Sequence, residues 1–118
     1  MRPTGIVVNI SVPDSAEARD FYTDFLGLSE VLMDQGWVAR LATPDGRAQV
    51  QLVTRDAGAS EDSHISVQLG DGVAEAHADA RRRGLEIVHP LTTEEWGVRR
   101  FFVRAPDGTI VNVVGHAD

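Results

Sequence analysis

The sequence predicts an α+β fold made of two consecutive modules, each with the element order β-α-β-β-β. The first observation is a Pro-Asp-Gly turn between β-branched and aromatic runs, which occurs at residues 44–46 and again at residues 106–108. The second is a segment that begins with an acidic helix cap and ends with a glycine. This segment spans residues 14–27 and recurs 57 positions later as residues 71–84. A repeat of this kind indicates a duplicated structural unit.

The first module begins with an apolar, β-branched run over residues 6–12, which predicts a strand. Pro13 ends this strand because it cannot continue the pattern of backbone hydrogen bonds. Asp14 is a favourable N-cap for the helix that follows, and Glu17, three residues later, completes a capping box.

Helical spacing of aromatic residues predicts that this first helix buries an aromatic stripe, formed by Phe21, Tyr22 and Phe25. Gly27 ends the helix in the left-handed conformation. Three strands then complete the module, at residues 28–34, 37–41 and 48–54.

The second module follows a polar segment, residues 55–63, that has no periodicity and is predicted to be a linker. Its elements are a strand at residues 64–69, a helix from residue 71 to residue 83, and a strand at residues 85–88 that His89 and Pro90 interrupt. The second Pro-Asp-Gly hairpin completes it. We therefore predict one domain, residues 1–118, with modules at about 5–54 and 64–115.

Composition excludes several classes of function. The 118-residue chain has no cysteine, no lysine and a net charge of −7, so thiolate chemistry and lysine Schiff bases are excluded and nucleic acid is not an expected partner. No apolar run reaches the length of a membrane span, and the N-terminus lacks the apolar core of a secretion signal. We expect a cytoplasmic protein with no membrane partner.

Three motifs resemble those of a known family. They are Val12-Pro13-Asp14, Phe21-Tyr22-Thr23-Asp24-Phe25-Leu26-Gly27-Leu28 and Arg104-Ala105-Pro106-Asp107-Gly108-Thr109. With the repeated module, they resemble the vicinal oxygen chelate superfamily, which includes glyoxalase I, extradiol dioxygenases, fosfomycin-resistance enzymes and bleomycin-resistance proteins. The resemblance implies that the modules form a curled mixed sheet around a cavity, and that the protein is a homodimer.

The resemblance also implies where a metal would be held, because metal-dependent members use two histidines and two carboxylates. The histidine position lies seven residues before the residue that caps the helix. In the second module this position is His64, and in the first it is Val7, which cannot bind a metal.

The carboxylate position that the resemblance implies lies four residues after the hairpin glycine. In the second module it is Asn112, and in the first it is Val50, or Gln49 or Gln51 if the register differs by one. None of these is a carboxylate. Since these ions depend on the number and charge of their ligands, we predict that the protein has no resident metal and no other cofactor.

The remaining candidates would bind a small molecule. We expect seven ligand-binding residues: Asn9, Trp37, His64, Trp96, Arg100, Phe102 and Asn112. Trp96 follows a polar stretch and would offer a flat ring for stacking. No residue is assigned a catalytic role, because no serine lies in a nucleophile elbow and the histidines form no motif. His89 is interpreted as a loop residue.

We therefore predict a non-metal binding protein of the glyoxalase/bleomycin-resistance type, which sequesters an apolar or aromatic ligand such as an antibiotic. The alternative is an enzyme of the same superfamily: a lyase, isomerase or dioxygenase that uses His64 with a divalent metal or as a base. A third possibility is an idle dimer or interaction module. Stoichiometric binding without turnover distinguishes the first function from the second.

Overall fold

The computed structural model describes residues 1–116, with Ser15 described by its backbone alone. Eight strands occur in this range: β1 (Gly5–Ser11), β2 (Glu30–Asp34), β3 (Val38–Ala42), β4 (Gln49–Val53), β5 (Ile65–Gly70), β6 (Ile87–Thr93), β7 (Val98–Arg104) and β8 (Ile110–His116). The helices are α1 (Ser15–Asp20), which continues into a π-helical segment at Phe21–Phe25, and α2 (Val73–Arg82). The element order β-α-β-β-β therefore occurs twice, as predicted.

The two modules have the same sheet topology. The strand order is β2-β3-β4-β1 in the first module and β6-β7-β8-β5 in the second. In each module the first strand is parallel to the last, β1 to β4 and β5 to β8, while the other pairs are antiparallel. The predicted fold class, α+β with tandem βαβββ modules and mixed strand pairing, is confirmed. The chain divides into compact units at residues 7–57 and at residues 1–6 with 58–118, and the single domain stays a prediction.

Helix α2 covers one face of the second module's sheet. It buries Val73, Ala76 and Ala80 against Phe101 and other apolar side chains of the strands. Gly84, at a φ of +68°, ends the helix in the left-handed conformation, as predicted. Within residues 1–116, neither helix combines the length and the hydropathy that crossing a membrane would require.

The first helix differs from its prediction. Asp14 does cap it, since its side chain accepts a hydrogen bond from the N–H of Ala16. The predicted burial of the aromatic stripe is wrong, however, because Phe21 and Phe25 are 52% and 75% exposed. Their rings stack on each other, with centroids 5.3 Å apart. Helical spacing predicted a shared face correctly, but spacing alone does not show whether anything covers that face.

Strand β6 also differs from its prediction. The interruption at His89 and Pro90 is wrong, because the strand runs from Ile87 to Thr93. The chain accommodates the proline through register shifts against β7 on both sides of His89. Irregularities of this kind let a proline remain in a strand. His89 is consequently a buried strand residue rather than a loop residue.

The two hairpins differ in length by one residue. The backbone hydrogen bond that closes the first spans residues 43–48, and the one that closes the second spans residues 105–109. The fourth strand of the first module is therefore displaced by one position relative to the simple repeat. As a result Gln51, rather than Val50, is the counterpart of Asn112.

The second hairpin turn generates a testable pH dependence. The N–H of Thr109 donates to the carboxylate of Asp107, and this hydrogen bond holds the pKa of Asp107 below its usual range. A lowered folded-state pKa stabilises the protein above the unfolded pKa, and this stabilisation is lost as the pH falls through the folded value. We expect Asp107→Asn to destabilise the protein at neutral pH and to lose that effect below about pH 4.

The measurement is urea unfolding of the wild type and Asp107→Asn between pH 7 and pH 2. Asp20→Asn, at an exposed carboxylate at the end of α1, is the control. A difference between wild type and Asp107→Asn that stays constant over this range would contradict the prediction.

Candidate functional site

Strand alternation gives the second module's sheet two faces of different chemistry. Helix α2 packs on one face, where Phe101 and Val113 belong to the apolar core. Because neighbouring residues of a strand point to opposite faces, Phe102 and Asn112 lie on the other face, which we call the helix-free face. Both are buried, with 0% and 7% of their surface exposed. A buried polar side chain on this face requires a partner.

Asn112 is held on the helix-free face by the neighbouring strand. Its Nδ2 donates to Oγ of Ser66, 3.0 Å away, and the two residues are paired in the parallel β5–β8 ladder. Its amide oxygen is buried and has no hydrogen-bond partner among residues 1–116. A buried carbonyl without a partner costs about 1–3 kcal/mol. A donor from a ligand or a water molecule at this oxygen would remove that cost.

A buried ion pair lies in the same module. Oε2 of Glu94, which follows β6, accepts hydrogen bonds from Nε and Nη2 of Arg100 at 2.8 and 2.6 Å. Only 7% and 5% of the two side chains are exposed. Nε2 of His89 lies 3.7 Å from the same carboxylate oxygen. The carboxylate is therefore hydrogen-bonded to Arg100, and Nε2 of His89 lies too far from it to form a hydrogen bond.

Aromatic rings enclose the cation of this pair. The guanidinium carbon of Arg100 lies 5.1 Å from the ring centroid of Trp96 and 4.9 Å from that of Phe102. The ring of His89 lies 5.1 Å from that of Phe102. Cation–π contacts of this kind are stronger when they are desolvated. Trp96 is half-buried, and Arg100 occupies a position over its ring that a ligand would otherwise take.

Gly58, from the predicted linker, packs against the ion pair. A Cβ at this position would lie 2.5 Å from Oε2 of Glu94 and 3.0 Å from Nη2 of Arg100. The absence of a side chain therefore leaves the room that the pair occupies. The linker thus contributes to the cluster instead of only joining two modules.

The first module contains a polar cluster of different chemistry, an arginine joined to two amides. Nε and Nη2 of Arg40 donate to Oε1 of Gln51 at 3.0 and 2.8 Å. Nε2 of Gln51 in turn donates to Oδ1 of Asn9 at 2.7 Å. The three residues lie side by side on β3, β4 and β1, because they are ladder partners. Each contact orients the next, so the guanidinium is held in place by neutral groups.

The predicted binding residues divide between the modules. In the second, Trp96, Arg100 and Phe102 are brought together, and Phe102 is the ladder partner of Asn112. In the first, Asn9 joins the amide cluster. Trp37 precedes β3, where its carbonyl accepts a hydrogen bond from the N–H of Thr54.

His64 lies just before β5 and is used by the backbone. Its Nδ1 accepts a hydrogen bond from the N–H of Ile110 at 2.9 Å, and its own N–H donates to the carbonyl of Ile110. In the neutral imidazole an accepting Nδ1 requires that Nε2 carry the proton. Neither ring nitrogen then offers a lone pair to a substrate or to a metal.

The residues at the implied metal positions do not fit a divalent cation. In the second module, Nδ1 of His64 accepts a hydrogen bond, which leaves the proton on Nε2, and Asn112 offers only a neutral amide oxygen. In the first, Val7 has no donor, and Oε1 of Gln51 already accepts two N–H groups of a cation. No group of three or more potential ligands of the His, Cys, Asp and Glu types occurs in the part of the chain that the structure describes.

Sequence reasoning missed several residues of these clusters, namely Arg40, Ser66, His89 and Glu94. Strand alternation could have found Arg40 and Ser66, since they are ladder neighbours of Gln51 and Asn112. Glu94 carries no local signal, because its partner is identified only once β6 and β7 are paired.

Comparison of the whole chain with known protein families identifies its superfamily. Residues 6–113 match the Glyoxalase/Bleomycin resistance protein/Dioxygenase superfamily. The chain belongs to this superfamily. No match to a curated protein was found. Membership in the glyoxalase superfamily accounts for the duplicated module, but superfamily members differ in chemistry, so the residues of the site and not the fold decide the function.

Solved structures support the glyoxalase-type fold. The structure of an NAD-dependent benzaldehyde dehydrogenase from Legionella pneumophila is 19% identical, with a TM-score of 0.76 over 96% of this chain and 100% of that one. Methylmalonyl-CoA epimerase from Mycobacterium tuberculosis is 23% identical, with a TM-score of 0.72 over 98% and 90%. A superfamily member from Vibrio splendidus 12B01 is 15% identical, with a TM-score of 0.67 over 94% and 97%. At these identities the likeness concerns the fold.

The buried ion pair generates a stability prediction. We expect Glu94→Ala to lower the free energy of unfolding by about 3–5 kcal/mol, because the buried Arg100 loses this carboxylate. Glu95→Ala, at the exposed neighbour, is expected to change it by less than about 0.5 kcal/mol. Urea unfolding at neutral pH measures both. Similar losses in the two variants would show that the pair does not stabilise this module.

Proposed function

We propose that this glyoxalase-superfamily protein binds a small organic molecule without a resident metal, with Asn112 as a polar contact on the helix-free face of the second module. The observation that carries the proposal is the amide oxygen of Asn112, which is buried and without a hydrogen-bond partner among residues 1–116. Ser66 fixes the orientation of this amide. A pre-oriented acceptor surrounded by buried side chains is the usual form of a specificity contact in a small-molecule site.

The ligand that we propose has a flat, largely apolar body and at least one hydrogen-bond donor. The donor would meet Asn112, and the apolar body would pack on the helix-free face of the second module. Sequestration of an antibiotic is the biological role we favour, since the family description includes bleomycin-resistance proteins. Binding would then be stoichiometric and without turnover.

The enzymatic alternative has less support from the site. A lyase, isomerase or dioxygenase would need His64 as a base or a metal ligand. The hydrogen bond from Ile110 to Nδ1 of His64 disfavours both roles. The epimerase among the similar structures shares the fold at 23% identity, and its activity does not transfer on that basis.

Two experiments test the proposal, first a measurement of metal content and then a ligand-binding screen. We expect substoichiometric metal by elemental mass spectrometry of untagged protein, both as purified and after dialysis against Ni, Co, Mn, Fe and Zn salts. A stoichiometric ion would contradict the metal-free site. Bleomycin and a panel of planar aromatic antibiotics are then screened by tryptophan fluorescence.

For any compound that binds, we expect Asn112→Leu to raise the dissociation constant about tenfold, because about 1.4 kcal/mol of hydrogen bonding is lost. His116→Gln, at an exposed position on the same strand, is expected to leave it unchanged. Calorimetric titration measures both. Equal affinities for the wild type and Asn112→Leu would contradict the role of this amide.

We also propose that the protein is a homodimer. Five large apolar side chains of the first module are about half exposed or more: Phe21, Phe25, Leu26, Val31 and Leu32. Phe21 and Phe25 stack on each other, and exposed clusters of large apolar side chains often mark protein–protein contacts. A second copy of the chain is the occupant that the family resemblance implies.

Light scattering with size-exclusion chromatography tests the dimer. We expect the wild type to elute at the mass of two chains and Phe25→Glu to elute at the mass of one. Ala78→Glu places the same charge on an exposed position of α2 and should remain dimeric. A monomeric wild type would contradict this proposal without affecting the binding site.

A further inference from the structure

Arg40 is a cation without a counter-ion among the described residues. Its hydrogen bonds go to Oε1 of Gln51, which is a neutral acceptor. No carboxylate of residues 1–116 lies within ion-pair distance of it. It is half-buried, and burial lowers the pKa of its guanidinium because the charged form loses solvation. Burial therefore desolvates the charge of Arg40, and only hydrogen bonds to a neutral amide offset this cost.

Arg100 provides the comparison within the same chain. Both arginines lie on the third strand of their module, but the guanidinium of Arg100 meets a buried carboxylate, Glu94. The buried charge of Arg100 is therefore neutralised by a carboxylate of its own module. Arg40 is also desolvated but has no neutralising partner, as expected for a group that binds an anion.

The geometry leaves one edge of the Arg40 guanidinium available. Gln51 takes the edge formed by Nε and Nη2. Nη1 donates to no atom of residues 1–116. The end formed by Nη1 and Nη2 therefore retains N–H donors that point in parallel. Two parallel N–H groups match the two oxygens of a carboxylate.

The orientation of this edge is set in advance. Asn9 accepts from Gln51, and this contact turns Oε1 of Gln51 towards Arg40. The guanidinium is consequently restrained before any anion arrives, which reduces the entropy lost on binding. The net charge of −7 does not prevent such a contact, since distant charges are screened over about 8 Å at physiological ionic strength.

We propose that Arg40 is the anchor of an organic carboxylate that binds to the first module, with Gln51 and Asn9 as positioning residues. This inference goes beyond the proposed function, because it concerns a different module and does not depend on Asn112. The ligand class it assigns is a carboxylic acid in its ionised form. A neutral molecule of the same shape would gain no charge-assisted hydrogen bond.

The experiment follows the side-chain Nε–Hε signals of the arginines by ¹⁵N NMR. Sodium acetate is titrated at constant ionic strength, with acetamide as the neutral analogue and inorganic phosphate as the tetrahedral oxyanion. We expect acetate to shift the Arg40 signal saturably, acetamide to leave it in place, and phosphate to bind no more tightly than acetate. The exposed Arg47 of the same module should show no saturable shift.

Variants separate this proposal from the one above. Arg40→Gln should lose saturable acetate binding, reported by backbone amide shifts of β3 and β4, whereas Arg47→Gln should retain it. Asn112→Leu should leave the acetate titration unchanged, so a result that contradicts one proposed site does not contradict the other. A wild-type Arg40 signal that does not saturate with acetate would overturn the proposal, as would equal responses to acetate and acetamide. Tighter binding of phosphate than of acetate would overturn the assignment to carboxylates.

Discussion

A four-stranded sheet with a single helix can bury only one of its faces against that helix, and this constraint governs both modules. In the second module the face next to α2 is apolar and closes around Phe101. The opposite face still contains buried side chains, and several of them are polar. Because a buried polar group must find a partner, the hydrogen bonds of this face decide which chemistry the module can support.

The two modules satisfy this requirement in different ways. The second uses a full charge pair, with Glu94 and Arg100 enclosed by aromatic rings, and adds an amide whose oxygen is left for another donor. The first uses a chain of amides that ends in Arg40. Duplication thus preserved the strand order while the polar residues diverged. The same scaffold offers a hydrogen-bond acceptor in one half and a cation in the other.

Much of the fold could be predicted from the sequence, because its signals are local. The cap at Asp14, the glycine at the end of α2 and both Pro-Asp-Gly turns act within a few residues of themselves. The ion pair of Glu94 could not be predicted, since it depends on how β6 and β7 are paired around Pro90. The exposure of Phe25 could not be predicted either, because an amphipathic pattern identifies an apolar face but not what packs against that face.

The extra residue in the first hairpin has a consequence for how such proteins diverge. Side chains on a strand alternate with a period of two, so the gain or loss of one residue in a turn exchanges the complete set of inward and outward groups on the next strand. In this chain that step places Gln51, and not Val50, beside Asn9. A single inserted codon can therefore change the chemistry of a binding surface more thoroughly than most point substitutions, while the backbone ladder and the fold remain the same.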